Sequence, residues 1–240
     1  MCTCPQLSRT CWGHFFSKLF FRPSGMHCWD IHTHLEGQPH SIFQAGEARI
    51  EVGIPVSVGI HPWEVAPNWE AAFEKIKQEA TQNPLVLAIG EAGFDRLKGT
   101  EISLQKAAFY AQASLAAQLE IPLILHCVRG HDLLMEYLKS TKTPPTILWH
   151  GWNQKPELAR QLLPFPVFFS FGMQLLQPSS NAAHWLSACP SDRVFFETDD
   201  SELEIAAIYQ AASLILQLPE AVLAERVIAN WNAISKRKIS

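Results

Sequence analysis

The chain has 240 residues, 48% of them hydrophobic and 18% charged, with a formal net charge of −4. That length supports one sizeable core in the range of single α/β barrels, and the apolar content excludes long disordered tails. The acidic balance excludes a nucleic-acid coat protein held by many basic contacts to phosphate, but not a nuclease, because bound metal ions add positive charge that the count omits. The six cysteines, at 2, 4, 11, 28, 127 and 189, form no CxxC pair, so a reduced, cytoplasmic setting is expected. No apolar run reaches the roughly 18 residues of a transmembrane helix, so no membrane partner is expected.

Residues 1–25 carry Arg9, Lys18 and Arg22 without an acid, and a short apolar patch around Phe15 to Phe21. They show no clear secretory cleavage pattern and read as an N-terminal extension, either disordered or not native, with an organelle-targeting or membrane-touching arm as the alternative, and one barrel domain over 26–240. From there, apolar runs alternate with helical patterns. Strands are expected at Cys28–His32, Ser41–Gln44, Val56–Ile60, Leu85–Ile89, Pro122–His126, Thr146–His150, Val167–Phe171 and Arg193–Glu197. Most are apolar at consecutive positions, as strands buried on both faces should be. Helices are expected at Asn68–Gln82, at Glu101–Glu120 with Leu104, Ala108, Ala111 and Leu115 facing inward, and at His131–Ser140. Four more follow at Lys155–Leu163, Ala182–Ala188, Glu202–Leu216 and Pro219–Ile234. Strand–helix alternation without a GxGxxG fingerprint points to an α/β, TIM-like (β/α) barrel of the amidohydrolase type. The segment from His34 to Val56 is too short for full helices, so the second βα unit is expected to be shortened.

Metal-competent residues fall at the expected strand ends: His32-Thr-His34, Gly90-Glu91, His126, His150 and Glu197-Thr-Asp199. In a barrel those ends converge on one face, where active sites form. Alternation along a strand points both imidazoles of His32 and His34 to the same side. Taken singly, His126 and His150 read as core histidines and Glu91 as a helix-start carboxylate. Taken together, four histidines and two carboxylates from separate strands point to a metal site, because buried polar groups need partners. The donor set exceeds what one catalytic ion needs while leaving a position for water. It suits two divalent ions, zinc, manganese or magnesium, with magnesium the poorest match to imidazole. His32, His34 and Asp199 are assigned to one ion, His126 and His150 to the other, and Glu91 between them.

These segments resemble the TatD family of metal-dependent hydrolases. The residues that carry the resemblance are Asp30-Ile-His-Thr-His34, Val58-Gly-Ile-His-Pro62, Ala88–Asp95, Ile121–His126, His150-Gly-Trp152, Phe169–Gly172, Phe196–Asp199 and Asn230-Trp-Asn-Ala233. The resemblance covers about residues 27–235. It implies a (β/α) barrel whose metal ligands match His32, His34, Glu91, His126, His150 and Asp199. It also implies deoxyribonuclease or exonuclease activity, or removal of an aminoacyl group from mischarged tRNA. Two departures, the short His34–Val56 segment and the loss of proline after Glu197-Thr-Asp-Asp, mark a shortened subgroup and put the substrate in doubt.

The expected function is therefore metal-dependent cleavage of phosphodiester bonds in DNA or tRNA by a monomer. Asp199 is the expected general base and Glu91 the shared catalytic carboxylate. His61 is expected to bind phosphate or the leaving group, Arg129 to clamp substrate phosphate, and Glu197 to orient a ligand. Trp63 and Trp152 are candidates to stack a base, whereas Trp149 and Cys127 read as packing. The alternatives are an ester or amide hydrolase such as an aminoacyl-tRNA deacylase, and a non-catalytic metal-binding scaffold.

Overall fold

A computed structural model of the chain describes residues 27–45 and 53–240. The expected N-terminal extension, residues 1–25, lies outside them. Eight parallel strands follow one another in sheet order: β1 (Asp30–Thr33), β2 (Ser41–Gln44), β3 (Val56–Val58), β4 (Val86–Asp95), β5 (Leu123–Val128), β6 (Ile147–Trp149), β7 (Val167–Phe171) and β8 (Val194–Phe196). Helices α1 (Trp69–Gln82), α2 (Ile102–Leu119), α3 (His131–Ser140), α4 (Pro156–Leu162), α5 (Asn181–Leu186), α6 (Ile205–Leu216) and α7 (Glu220–Ile234) cover the sheet. No single helix among the described residues is long and apolar enough to cross a membrane.

The sheet closes through one residue. Asp199 N–H donates to the His32 carbonyl at 3.1 Å, and His34 N–H donates to the Asp199 carbonyl at 2.9 Å. This pairs Thr33 with Asp199 as a parallel bridge and turns eight strands into a barrel. Asp199 adopts a left-handed backbone, φ +56°, which aspartate tolerates better than most residues. Below it, the buried Asp30 carboxylate spans the same seam. It accepts from the Thr198 hydroxyl at 2.6 Å and the Thr198 N–H at 3.1 Å.

Between β1 and β2 the described residues contain no helix, in keeping with the expected thinning of this side; residues 46–52, after β2, are not described. Two expectations are corrected. β4 does not stop at Gly90-Glu91 but runs on to Asp95. Ala92 and Phe94 continue its buried pattern, and a register shift opposite β5 absorbs the extra residue: β4 advances from Ile89 to Ala92 while β5 advances from Leu123 to Leu125. Such a bulge re-aims the side chain it carries, here Glu91. Glycine is required on both sides of it. Gly90 (φ +146°) and Gly93 (φ +152°) lie so close to β5 that a Cβ would sit 2.6 Å and 1.9 Å from the Ile124 and His126 carbonyl oxygens. The inward face of α2 is also shifted. Ala108 and Leu115 are buried as expected, together with Gln105, Phe109, Gln112, Ala113 and Ala116, while Leu104 and Ala111 are only half-buried. Two glutamines on that face pair with strand-end backbone, which outweighs burying more apolar surface.

At the opposite end of the barrel, Arg237 ties the chain's end to the start of β4. Its guanidinium donates to the carbonyls of Ala80 (2.6 Å), Asn83 (3.0 Å) and Val86. Arg237→Ala leaves three carbonyls without a charged donor. It should lower the unfolding free energy by about 1–3 kcal/mol, read as a shifted urea midpoint at unchanged slope. An unmoved midpoint would remove this pin from the account.

Candidate metal centre

The bulge in β4 delivers the Glu91 carboxylate into the mouth of the barrel, where it is 4% exposed. Its two oxygens face different histidines. Oε1 lies 2.9 Å from His34 Nε2 and 3.3 Å from His32 Nε2, both on the end of β1. Oε2 lies 2.9 Å from His150 Nε2, 3.2 Å from His126 Nδ1 and 3.6 Å from His61 Nε2. Asp199 completes the first set, with Oδ1 3.4 Å from His32 Nε2 and 3.6 Å from His34 Nε2. The six sequence-identified ligand candidates therefore come together at one mouth, and His61 joins them. Three overlapping donor groups result: His32, His34 and Glu91; His32, His150 and Asp199; and His61, Glu91 and His126.

The electrostatics call for positive charge. Burial alone would raise the Glu91 carboxyl, but the surrounding imidazoles outweigh it and hold the group far below the usual carboxylate range. Asp199 is held at about 2, burial again opposing and His32 and His150 prevailing. In return, the carboxylates overcome burial and raise the proton affinity of His32 and His150. Both ring nitrogens of His32 and Nδ1 of His150 are buried without a hydrogen-bond partner. Orphaned imidazole nitrogens facing buried carboxylates fit a divalent cation that accepts mixed nitrogen and oxygen donors.

Supporting contacts hold these side chains in place. From α2, the Gln112 amide accepts from Ile60 N–H at 2.7 Å and donates to Ile60 carbonyl at 3.3 Å, fixing the residue before His61. Gln105 does the same for Asp95, at 2.8 Å and 3.0 Å. Glu197 is fully buried, accepts from Gly151 N–H and lies 3.9 Å from His150 Nδ1; burial raises its carboxyl.

Asp95 is the functional position for which the sequence suggested no role. Its Oδ2 accepts from the Trp63 indole N–H at 2.6 Å and lies 3.4 Å from His126 Nε2. The available signal was its place at the true end of β4, hidden by ending that strand too early. Arg129 is exposed at the end of β5; its carbonyl accepts from Arg96, but its side chain stands outside the cluster. Trp152 is corrected. It is wholly buried against Trp149 and Phe169, with centroids 4.8 Å and 4.7 Å away, so of these two candidates Trp63 alone is exposed.

A family model described as TatD related DNase matches residues 20–226. The chain belongs to this family. Among curated TatD relatives, the 3'-5' ssDNA/RNA exonuclease TatD of Klebsiella pneumoniae is 30% identical over 155 residues, 60% of this chain and 56% of that protein. The uncharacterized metal-dependent hydrolase YjjV of Escherichia coli is 26% identical over 153 residues, 62% and 59% of the two chains. The matched stretch thus spans less than two thirds of these relatives. The crystal structure of the TatD homologue YJJV from Escherichia coli superposes with a TM-score of 0.72 at 19% identity, covering 88% of this chain and 98% of that one. A TatD family hydrolase from Entamoeba histolytica gives 0.61 at 16% identity, covering 76% and 75%. These solved TatD structures establish the shared barrel.

Burial lowers His61 from the ordinary imidazole value of 6.5 to about 4. The folded chain then binds fewer protons than the unfolded chain between those values. Stability present above about pH 6.5 is lost as pH falls toward 4, by at most about 1.4 kcal/mol per pH unit. In metal-free protein, His61→Gln should flatten that decline, measured by urea unfolding at about pH 7 and about pH 4.5. An equally steep loss in the variant would assign the acid sensitivity elsewhere.

Proposed function

We propose that the chain is a divalent-metal-dependent phosphodiester hydrolase that shortens single-stranded DNA from its ends, with residues 26–240 as the catalytic unit. The observation that carries this reading is the Glu91 carboxylate divided between two sets of histidines, Oε1 toward His32 and His34, Oε2 toward His126, His150 and His61. That division suits two divalent ions, which His32, His34 and Asp199 on one side and His126 and His150 on the other would hold together with Glu91. The imidazole-rich set favours zinc or manganese over magnesium. When bound, such ions supply Lewis-acid polarisation of a phosphate oxygen and lower the pKa of water. Family membership and the exonuclease named in the Klebsiella relative support the choice of substrate.

The protein's own groups divide the remaining work. Asp199 is ionised at neutral pH and its side chain is 34% exposed, against 4% for Glu91. It is the carboxylate placed to take the proton of an attacking water, so it acts as general base. His61 Nδ1 accepts the Trp63 N–H at 3.2 Å, which assigns the proton to Nε2 and makes His61 a neutral donor to a phosphate oxygen. Arg129 clamps a flanking phosphate from the end of β5. Glu197 steers His150 from beneath. We take the protein to be a monomer working in the cytoplasm, where thiols such as Cys127 and Cys189 stay reduced.

Chelator-treated protein reloaded with Mn²⁺ should shorten a 5'-labelled single strand. Asp199→Asn should slow this at least about 100-fold. Glu91→Gln should lower the ions retained after dialysis from about two per chain to fewer than one, read by elemental analysis. A strand left intact with every divalent ion tried, or cut equally by Asp199→Asn, would end the nuclease reading.

A further inference from the structure

Most aromatic rings among the described residues are buried, and Trp63 stands apart from them. It sits directly beyond β3, beside His61, and is 47% exposed. It is nonetheless held firmly. Its indole N–H donates to Asp95 Oδ2 at 2.6 Å, and the His61 ring meets it edge-on with centroids 4.6 Å apart. The same Asp95 carboxylate accepts the N–H groups of Leu97 (2.7 Å) and Lys98 (3.0 Å), so the loop after β4 is fixed to the same anchor. The Lys98 ammonium lies over one face of the Trp63 ring, 4.6 Å from its centroid, and Leu97 is 59% exposed. Across the next loop, Arg96 forms paired contacts of 2.7 Å with Asp132 and caps the Arg129 carbonyl, which leaves Lys98 and the exposed Arg129 as the cations of this rim.

A half-exposed tryptophan with its ring plane fixed at one edge and a cation over one face has the chemistry of a base-stacking platform, the base taking the other face. An isolated exposed indole would be mobile; this one is coupled through Asp95 to His126, 3.4 Å away, and through His126 to Glu91, 3.2 Å away. A base lying on it is therefore held at a set offset from the carboxylate cluster. A duplex keeps its bases stacked on one another, so only a single strand or a frayed end can offer a free π-face.

We infer that Trp63, held by Asp95, stacks a nucleobase of a single strand next to the phosphate that is cleaved, with Lys98 and Arg129 facing the strand's phosphates. This rests on the hydrolase reading above for the meaning of the cluster, but binding tests it separately from cleavage. Trp63 is then a positioning residue that reads the presence of a base without reading its identity, because every base has a π-face.

The test compares a fluorescein-labelled oligodeoxynucleotide with an abasic strand of the same length, each titrated by anisotropy into the full chain, Trp63→Ala and Trp63→Phe. The wild-type chain should bind the base-bearing strand about tenfold more tightly than the abasic one. Trp63→Ala should erase that ratio while the abasic strand binds as before, and Trp63→Phe should restore most of it. Circular dichroism and the urea midpoint confirm that each variant folds. Equal loss for both strands in Trp63→Ala, an unchanged ratio, or no binding of either strand would overturn the platform. Binding with the expected ratio but no cleavage would sink the hydrolase reading alone. Cleavage without a base-dependent ratio would sink the platform alone.

Discussion

One carboxylate surrounded by five imidazoles sets the terms for the rest of the molecule. Glu91 is buried at the centre of the barrel mouth, and a lone buried carboxylate is among the least tolerable groups in a protein interior. Its charge is made acceptable by His32, His34, His61, His126 and His150, each within 3.6 Å of one of its oxygens. That arrangement needs the side chain aimed inward from the middle of a ten-residue strand, which the bulge between Ile89 and Ala92 achieves. The bulge in turn needs Gly90 and Gly93, whose backbones press against β5 where a side chain has no room. Electrostatics at one carboxylate thus dictates backbone geometry and residue choice two strands wide.

The same economy governs the seam of the barrel. Asp199 pairs with β1 through its backbone while its carboxylate faces His32, so one residue both closes the fold and serves the cluster. Asp30 and Thr198, buried beneath it, hold β1 to the chain after β8. Burial pushes the Asp30 carboxyl up to about 7, with the Thr198 hydrogen bonds pulling the other way. A barrel closed by groups of the active site cannot loosen at the seam without displacing His32 and His34. Stability and site geometry are coupled there, whereas Arg237, at the far end, contributes to stability alone.

What the sequence made legible follows from period and position. Consecutive apolar residues with metal-competent groups at their ends are enough to place His32, His34, His126, His150 and Asp199 at one rim, because parallel strands in a barrel leave no other place for them. Helices such as His131–Ser140 emerge with the bounds their pattern suggests. What stayed hidden depends on tertiary contact. The length of β4 was obscured because Gly90 and Gly93 look like strand breakers until β5 is seen to require them. Asp95 was passed over as a consequence. The glutamines of α2 carry no periodic signal of their own, since an inward amide is explained only by the Ile60 and Asp95 backbone it meets. Trp63 and Trp152 are alike in sequence, each near a strand end, and differ only in whether neighbouring rings cover them.

The mouth is chemically lopsided, and this bears on how a strand would lie across it. On the β1 and β8 side, the accessible groups are His34 and the ionised Asp199, side chains 42% and 34% exposed. On the β3 to β5 side they include Trp63, Leu97, Lys98 and Arg129, with the exposed Asp132 paired to Arg96. An anionic polymer is repelled by the first side unless cations intervene and is drawn to the second without them. On the proposed function, a nucleic-acid strand would approach over Trp63 and the basic loops, with the phosphate at its leading edge brought toward Asp199. A duplex presents two charged backbones and no free base to such a surface, so it gains less from the aromatic side and meets the acidic side with more charge. Under the proposed function, the asymmetry of the rim itself would favour a single strand over a duplex, before any contact with the reacting bond.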